Sequence, residues 1–357
     1  MKPLAIRQVT LTHFRNYASA QFSFGDKFNL LSGLNGVGKT NLLDAIYYLC
    51  VGKSYFTPYD QRVGQLGESF FRLEAALFKE DGLHNVVMKV KPGVSKEILV
   101  DHVALNKVSE YLGYIPIVFS APRDIELVTG ASQARRRYFD HLLCQVDQVY
   151  LKALMEYNYL LQLRNAALKN GFADLRRIIA TYDEQMAPPA QLIFEKRKWL
   201  TALLKPLLQQ TYASLSEERE TIDCIYESQL HELSYELLAD KNWDGDKNMQ
   251  RTNGGIHKDD FLLMIKNSPA REFGSQGQIK SLIFSLHLTK YKLLREQKGN
   301  LPILVLDDVF DKLDDRRLAR LMEILHADEF GQIFISDTNK ERLSKEMKMS
   351  SFTEILL

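Results

Sequence analysis

Eight residues, Gly33-Leu34-Asn35-Gly36-Val37-Gly38-Lys39-Thr40, constrain this chain more than any other feature. They satisfy G-x-x-x-x-G-K-[ST], the loop whose backbone N–H groups turn inward around phosphate oxygens. Glycines permit that turn because no Cβ blocks positive φ. Lys39 brings a cation to the β- and γ-phosphates, the Thr40 hydroxyl can ligate Mg²⁺, and Asn41 opens the following helix. The flanks agree. Phe28-Asn29-Leu30-Leu31 reads as a buried strand, and residues 41–46 have helical apolar spacing. A strand entering the loop and a helix leaving it aim the helix N-terminus at the phosphates. The chain is expected to bind a nucleoside triphosphate.

The chain has 357 residues, 45% hydrophobic and 25% charged, enough to bury a core in one large or two to three ordinary domains. Lys and Arg total 46 against 45 Asp and Glu, so any nucleic-acid surface must be local. Cys50, Cys144 and Cys224 are too far apart for a C-x-x-C pair and fit a reducing compartment. No apolar run approaches the roughly 18 residues of a membrane span. A cytoplasmic protein without a membrane partner is expected.

Three segments separate. Residues 1–124 read mainly as strands and hold the phosphate loop. Residues 125–250 read as helical, with Pro188-Pro189 interrupting, a possible strand at 222–226, and a polar loop from Lys241 to Gly255. Residues 251–357 alternate again: strand 261–265, helix 277–295, strand 303–307, helix 315–325 and strand 332–336.

Two motifs lie in the last segment. Ile303-Leu304-Val305-Leu306-Asp307 is an apolar run ending in a carboxylate, the Walker B pattern. Such a run belongs on a central parallel strand, with Asp307 at the carboxyl end where ligands of α/β sheets sit. There it can share Mg²⁺ with Thr40, and Asp308 can orient or deprotonate the attacking water. Gly274-Ser275-Gln276-Gly277-Gln278 stands at the start of an amphipathic helix, with Ser275 32 residues before Asp307. A simple Ser N-cap is the alternative reading of this element alone.

In this order the Ser-x-Gly-Gln element resembles the signature motif of ATP-binding-cassette (ABC) ATPases. The resemblance implies that Ser275, Gly277 and Gln278 reach the γ-phosphate held by a second subunit, in an ATP-dependent head-to-tail homodimer. Lys312-Leu313-Asp314 matches the D-loop of that family. The helical segment of about 125 residues amounts to at most about 190 Å of helix at 1.5 Å per residue. That suits a compact lobe rather than the long coiled coil of SMC proteins.

Further stretches narrow the resemblance. Leu11-Thr12-His13-Phe14-Arg15-Asn16-Tyr17, Gly52-Lys53-Ser54-Tyr55-Phe56-Thr57, Val118 to Asp124, Arg135 to Asp140, Gly255 to Phe261 and Asp307-Asp308-Val309-Phe310 resemble, in order, segments of the RecF family. The implied fold is α/β: an ABC-ATPase-like head with mixed sheets and a phosphate loop, plus a compact mostly helical lobe. The implied function is ATP-dependent DNA binding in repair and replication, at gaps and single-/double-strand junctions. RecR and RecO would be the mediator partners, ATP and Mg²⁺ the cofactors, and ATP hydrolysis slow. Lys39, Ser275, Asp307 and Asp308 would carry the hydrolysis.

Some positions depart from the family. Phe56 stands where Arg is usual, so a basic contact is not carried over to it. Arg123 stands where Glu is common, so an acidic contact is not carried over either. Ser336-Asp337-Thr338 closes the last core strand where many cassette ATPases place a histidine switch. Arg135-Arg136-Arg137, Arg176-Arg177 and Lys196-Arg197-Lys198 are the basic clusters available for DNA, although a solvated helix face is the commoner meaning of such runs. His257 lacks neighbours at metal-ligand spacing and reads as a loop-ordering residue. Another ABC-type system is the main alternative, SMC-like or a transporter subunit. Against a transporter subunit, 235 residues separate Thr40 from Ser275 and no glutamate follows Asp307. A GTPase would need N-K-x-D, which Asn339-Lys340-Glu341-Arg342 does not supply.

Overall fold

The computed structural model describes residues 3–171, 174–216, 220–308, 315–336 and 352–357. Its contacts divide the chain into two units. Unit 1 holds Met1–Asp124, Ser214–Glu217 and Lys280–Leu357; unit 2 holds Ile125–Ala213 and Glu218–Ile279. Residues 251–279, assigned from sequence to the third segment, therefore group with unit 2.

Unit 1 is built on two sheets. The first is a five-stranded parallel sheet in the order Phe352–Leu356, Phe28–Ser32, Ile333–Ser336, Ile303–Asp307, Ile117–Ser120. Every residue of its three inner strands is buried, which explains their mostly apolar sequences; Asn29, the polar residue inside a run, is buried with its carboxamide bonded to the Gly25 backbone. The second sheet is antiparallel and six-stranded, in the order Tyr17–Ser23, Leu4–Phe14, Phe71–Lys79, Gly82–Lys91, Ser95–Val100, Val103–Ala104. Its Phe71–Lys79 strand alternates buried and half-exposed residues, so one face meets the core and one meets water. Helix Lys39–Val51 belongs to the core shared with these sheets and buries eleven of its thirteen residues.

Unit 2 combines helices Ser132–Val146, Gln148–Asn170, Leu175–Leu215 (except its last two residues, which group with unit 1) and Tyr235–Met249 with a three-stranded antiparallel sheet in the order Ser268–Pro269, Asp260–Ile265, Ile222–Glu227. The expected strand at 222–226 is present. Two expectations fail. Helix Leu175–Leu215 runs through Pro188, Pro189 and Pro206. Each proline removes a backbone donor, but Met186, Ala187, Ala190 and Ile193 around the pair are buried, and that packing holds the helical path. The expected polar loop at 241–255 is instead mostly helix. Ser234 caps it by accepting from the Leu237 N–H, and it ends at Gln250 in the left-handed region. Its few apolar contacts are supplemented by Asp246, buried against Arg164 at 2.7 Å.

Helix Gln276–Lys298 crosses the division between the units, four residues lying in unit 2 and the rest in unit 1. The longest helix has 41 residues, so no long coiled coil is present among the described residues.

Candidate nucleotide site

The loop after strand Phe28–Ser32 has Gly33, Gly36 and Gly38 at φ of 147°, 83° and 123°. At Gly38 the requirement is also steric, since a Cβ would lie 2.6 Å from Tyr17 Oη. Lys39 is buried, and its ammonium donates to the Gly33 and Leu34 carbonyls at 2.6 and 3.2 Å. The following helix has no acidic residue in its first turn, which leaves its N-terminus favourable for an anion.

Asp307 ends its strand within reach of the loop. Thr40 Oγ1 donates to Asp307 Oδ1 at 3.1 Å, and Ser336 Oγ donates to the same oxygen at 2.7 Å. Burial pushes the Asp307 carboxyl above its ordinary range, and the bonds from Ser336 and Thr40 only partly offset it. Asp308 adopts φ 49°, a left-handed conformation that Asp tolerates better than most residues, and its N–H donates to Ser336 Oγ at 3.0 Å. The phosphate loop, Thr40, Asp307 and Asp308 are thus brought together, with Ser336 as an organiser. Asp337, Thr338, Val309, Phe310, the D-loop match Lys312-Leu313-Asp314 and Asn339 to Arg342 lie outside the described residues.

A hairpin supports the loop from below. Asn16 Nδ2 donates to the Val37 carbonyl at 3.1 Å, Tyr17 Oη to the Gly38 carbonyl at 3.1 Å, and Asn41 Nδ2 to Asn16 Oδ1 at 2.7 Å. Burial raises the Tyr17 hydroxyl to about 12, so it remains a donor. Arg15 pairs with buried Asp44 at 2.7 Å, and Asp44 also accepts from Ser54 Oγ and the Tyr55 N–H. Asn41 therefore binds the hairpin here. The Arg-Asn-Tyr run was visible in the sequence as a resemblance, but its role of bracing the loop was not.

Two of the departures, Phe56 and Arg123, meet each other. The Arg123 guanidinium lies 5.3 and 5.8 Å from the Tyr55 and Phe56 ring centres and donates to both backbone carbonyls. Next to it, buried Asp124 accepts from Tyr55 Oη and the Ala121 N–H and pairs with His287 at 3.0 Å. Burial alone would raise the Asp124 carboxyl, but these partners outweigh it and hold it below its ordinary value.

In unit 2, Ser275 and Gln278 form a reciprocal cap. The Ser275 N–H donates to Gln278 Oε1 at 2.7 Å, and the Gln278 N–H donates to Ser275 Oγ at 3.3 Å. Gly277 sits in the first turn of this helix. The Ser275 hydroxyl keeps its own proton available for an acceptor such as a phosphate oxygen.

The basic clusters are only partly spent on internal pairs: Arg135 and Arg197 are buried and Arg136 and Lys196 half-buried, whereas Arg137, Arg176, Arg177 and Lys198 are exposed. Arg135 pairs with Asp260 at 2.7 Å. Arg136 donates to Ser132 Oγ and the Asp259 carbonyl. Fully buried Arg197 joins Asp140, Asp259 and the Ile256 carbonyl. Lys196 pairs with Asp147, and Arg176 pairs with Asp240 and lies over Trp243. The reading of these runs as solvated helix faces holds for Arg137, Arg176, Arg177 and Lys198 and fails for Arg135 and Arg197, whose acidic partners come from distant elements. His257 contacts Tyr157 Oη at 2.9 Å and the Thr252 carbonyl at 3.2 Å, and burial lowers it to about 4, which fits loop ordering. Among the described residues no group of three ligands could hold a metal, and no helix is long and apolar enough to cross a membrane.

A family model described as an AAA domain matches residues 8–296. The chain is 37% identical to the DNA replication and repair protein RecF of Flavobacterium johnsoniae, covering 98% of both chains. It is 38% identical to that of Cytophaga hutchinsonii, covering 95% of this chain and 90% of the relative. A solved structure of the recombination mediator protein RecF with ATP, in the RecFOR pathway, superposes with a TM-score of 0.87 at 27% identity, covering 95% and 93%. An Smc head domain from Pyrococcus furiosus superposes at 0.55 with 15% identity over 96% and 92% of the chains, a likeness of fold alone. From the matches along nearly its whole length, the chain belongs to the RecF family.

Proposed function

We propose that this chain is an ATP-dependent DNA-binding protein of recombinational repair and replication-fork maintenance, and that ATP drives it into a homodimer that closes on DNA at gaps. The observation that carries this reading is the convergence of Thr40, Asp307 and Ser336 beside a glycine-lined loop in a chain of the RecF family. Backbone N–H groups of residues 33–40 would hold the phosphates, and Lys39 would meet the β/γ end. The oxygen donors Thr40 Oγ1 and Asp307 Oδ1, 3.1 Å apart, suit a hard cation. Bound there, Mg²⁺ would neutralise phosphate charge.

Asp308 would orient or deprotonate the attacking water. Its carboxylate is shorter than the usual glutamate and its backbone is fixed by Ser336, which suits slow hydrolysis that times release. The helix start at Ser275, Gly277 and Gln278 would complete the site of a second subunit, anions being favoured at helix N-termini. RecO and RecR are the expected partners, with recombinase loading as the outcome. Sedimentation without nucleotide, with ATP, and with ATP plus gapped DNA tests the proposal. A monomer becoming a DNA-bound dimer only with ATP supports it; a monomer under all three conditions overturns it.

A further inference from the structure

We infer that Glu220 is a positioning residue for the signature helix, fixing the Gln278 carboxamide so that Ser275 is held ready for the opposing nucleotide. The inference rests on the composite-site reading above and deepens it. Glu220 is 3% exposed. Its Oε1 accepts from Gln278 Nε2 at 2.6 Å and lies 2.7 Å from Lys266 Nζ, while its Oε2 accepts from Tyr212 Oη at 2.8 Å. Its carbonyl takes a bond from Gln209 Nε2 at 3.0 Å, and Gln209 Oε1 accepts from the Ile222 N–H at 2.6 Å. The carboxylate is thereby tied to the long helix through Tyr212, and the Glu220 backbone to the strand Ile222–Glu227 through Gln209.

A carboxylate only accepts hydrogen bonds, so it must face the NH₂ end of Gln278. That leaves Gln278 Oε1 facing the Ser275 N–H, as observed at 2.7 Å. Without Glu220 the amide is free to flip, presenting NH₂ to an N–H, and the reciprocal cap is lost. Helix-start geometry then loosens where charge recognition is most sensitive to position, misplacement by about 1 Å costing as much as 100-fold in rate. Lys266 balances the carboxylate, so the negative charge does not oppose an anion at the helix start.

The test uses the full chain. Glu220→Ala should retain ATP binding by the single subunit and the wild-type circular dichroism spectrum. Its ATP-induced dimerisation and DNA-stimulated turnover should fall at least tenfold. Glu220→Gln can still present an oxygen to Gln278 Nε2 and should recover most of the lost turnover. Mixing Glu220→Ala with Lys39→Met should restore activity that neither has alone, because one of the two composite sites then carries no lesion. A general weakening of the fold would instead show as loss of single-subunit ATP binding and a changed circular dichroism spectrum. Wild-type dimerisation and turnover by Glu220→Ala, or equal losses in the Ala and Gln variants, would overturn the inference. Ser275→Arg run alongside separates the two levels. If Ser275→Arg also dimerises normally, the composite-site reading fails; if it is blocked while Glu220→Ala is normal, only the role of Glu220 fails.

Discussion

Lys39→Met keeps the length of the side chain and deletes the ammonium that spans the mouth of the loop. ATP affinity should fall about 10- to 150-fold, the range for losing a charged hydrogen bond, with the melting temperature preserved; unchanged affinity in titration calorimetry would refute the placement. The adjacent carboxylates should separate. Asp307→Asn removes a charged oxygen donor and should weaken Mg²⁺-dependent binding, whereas Asp308→Asn should bind ATP and accumulate as a nucleotide-bound dimer. Normal turnover in both would remove Walker B from the site. His257 gives a pH dependence. Its folded value of about 4 lies below the ~6.5 of an unfolded chain, so unfolding takes up a proton between those values. Stability at pH 7 should therefore be lost as pH falls through that window, and more steeply than in His257→Gln, as read by urea midpoints at pH 7 and pH 5. Equal slopes would contradict the buried neutral imidazole. Lys39, Thr40 and Asp307 were legible in the sequence because each lies in a contiguous pattern with one mechanical meaning. Asn16 and Tyr17 were visible only within a resemblance and Ser336 only at the histidine-switch position, because the contacts that give them their roles bridge positions distant in the chain.

Elements show where local rules yield to packing. Three prolines in one helix and a polar helix with Gly245 inside it both defeat propensity. The buried strands Phe28–Ser32, Ile303–Asp307 and Ile333–Ser336 were legible, their mostly apolar runs matching burial on both faces. The helices of unit 2 are cross-linked by charge as well as apolar contact: Arg197 joins helix Ser132–Val146 to the Ile256–Asp259 stretch, and Arg164 joins Asp183 to Asp246. Arg197→Met leaves Asp140 and Asp259 without that cation in a buried site and should destabilise by about 3–5 kcal/mol. Urea unfolding checks this, and a loss below about 1 kcal/mol, the scale of exposed pairs, would mean the network is solvated. The arginine runs show the limit of reading charge from sequence, since Arg135 and Arg137 differ completely in burial though two positions apart.

At the scale of the molecule, the decisive question is whether two copies share sites. Ser275→Arg should place bulk against the opposing γ-phosphate, leaving single-subunit ATP binding nearly intact and abolishing ATP-induced dimerisation. Mixed with Lys39→Met it should regain activity, up to about half per dimer if each intact site works alone, as the proposed action of that helix start in trans requires; dimerisation like wild type in sedimentation would leave only a self-contained ATPase. The parallel sheet that carries the nucleotide loop also imposes an order in time. Strand Phe28–Ser32 lies between Ile333–Ser336 and Phe352–Leu356, partners more than 300 residues further along the chain. At about 5–20 residues per second, a nascent chain leaves this apolar strand without either neighbour for some tens of seconds. During synthesis the phosphate loop therefore emerges early but lacks Asp307 and Ser336 until late, so the complete nucleotide site can assemble only once translation has reached the far strands.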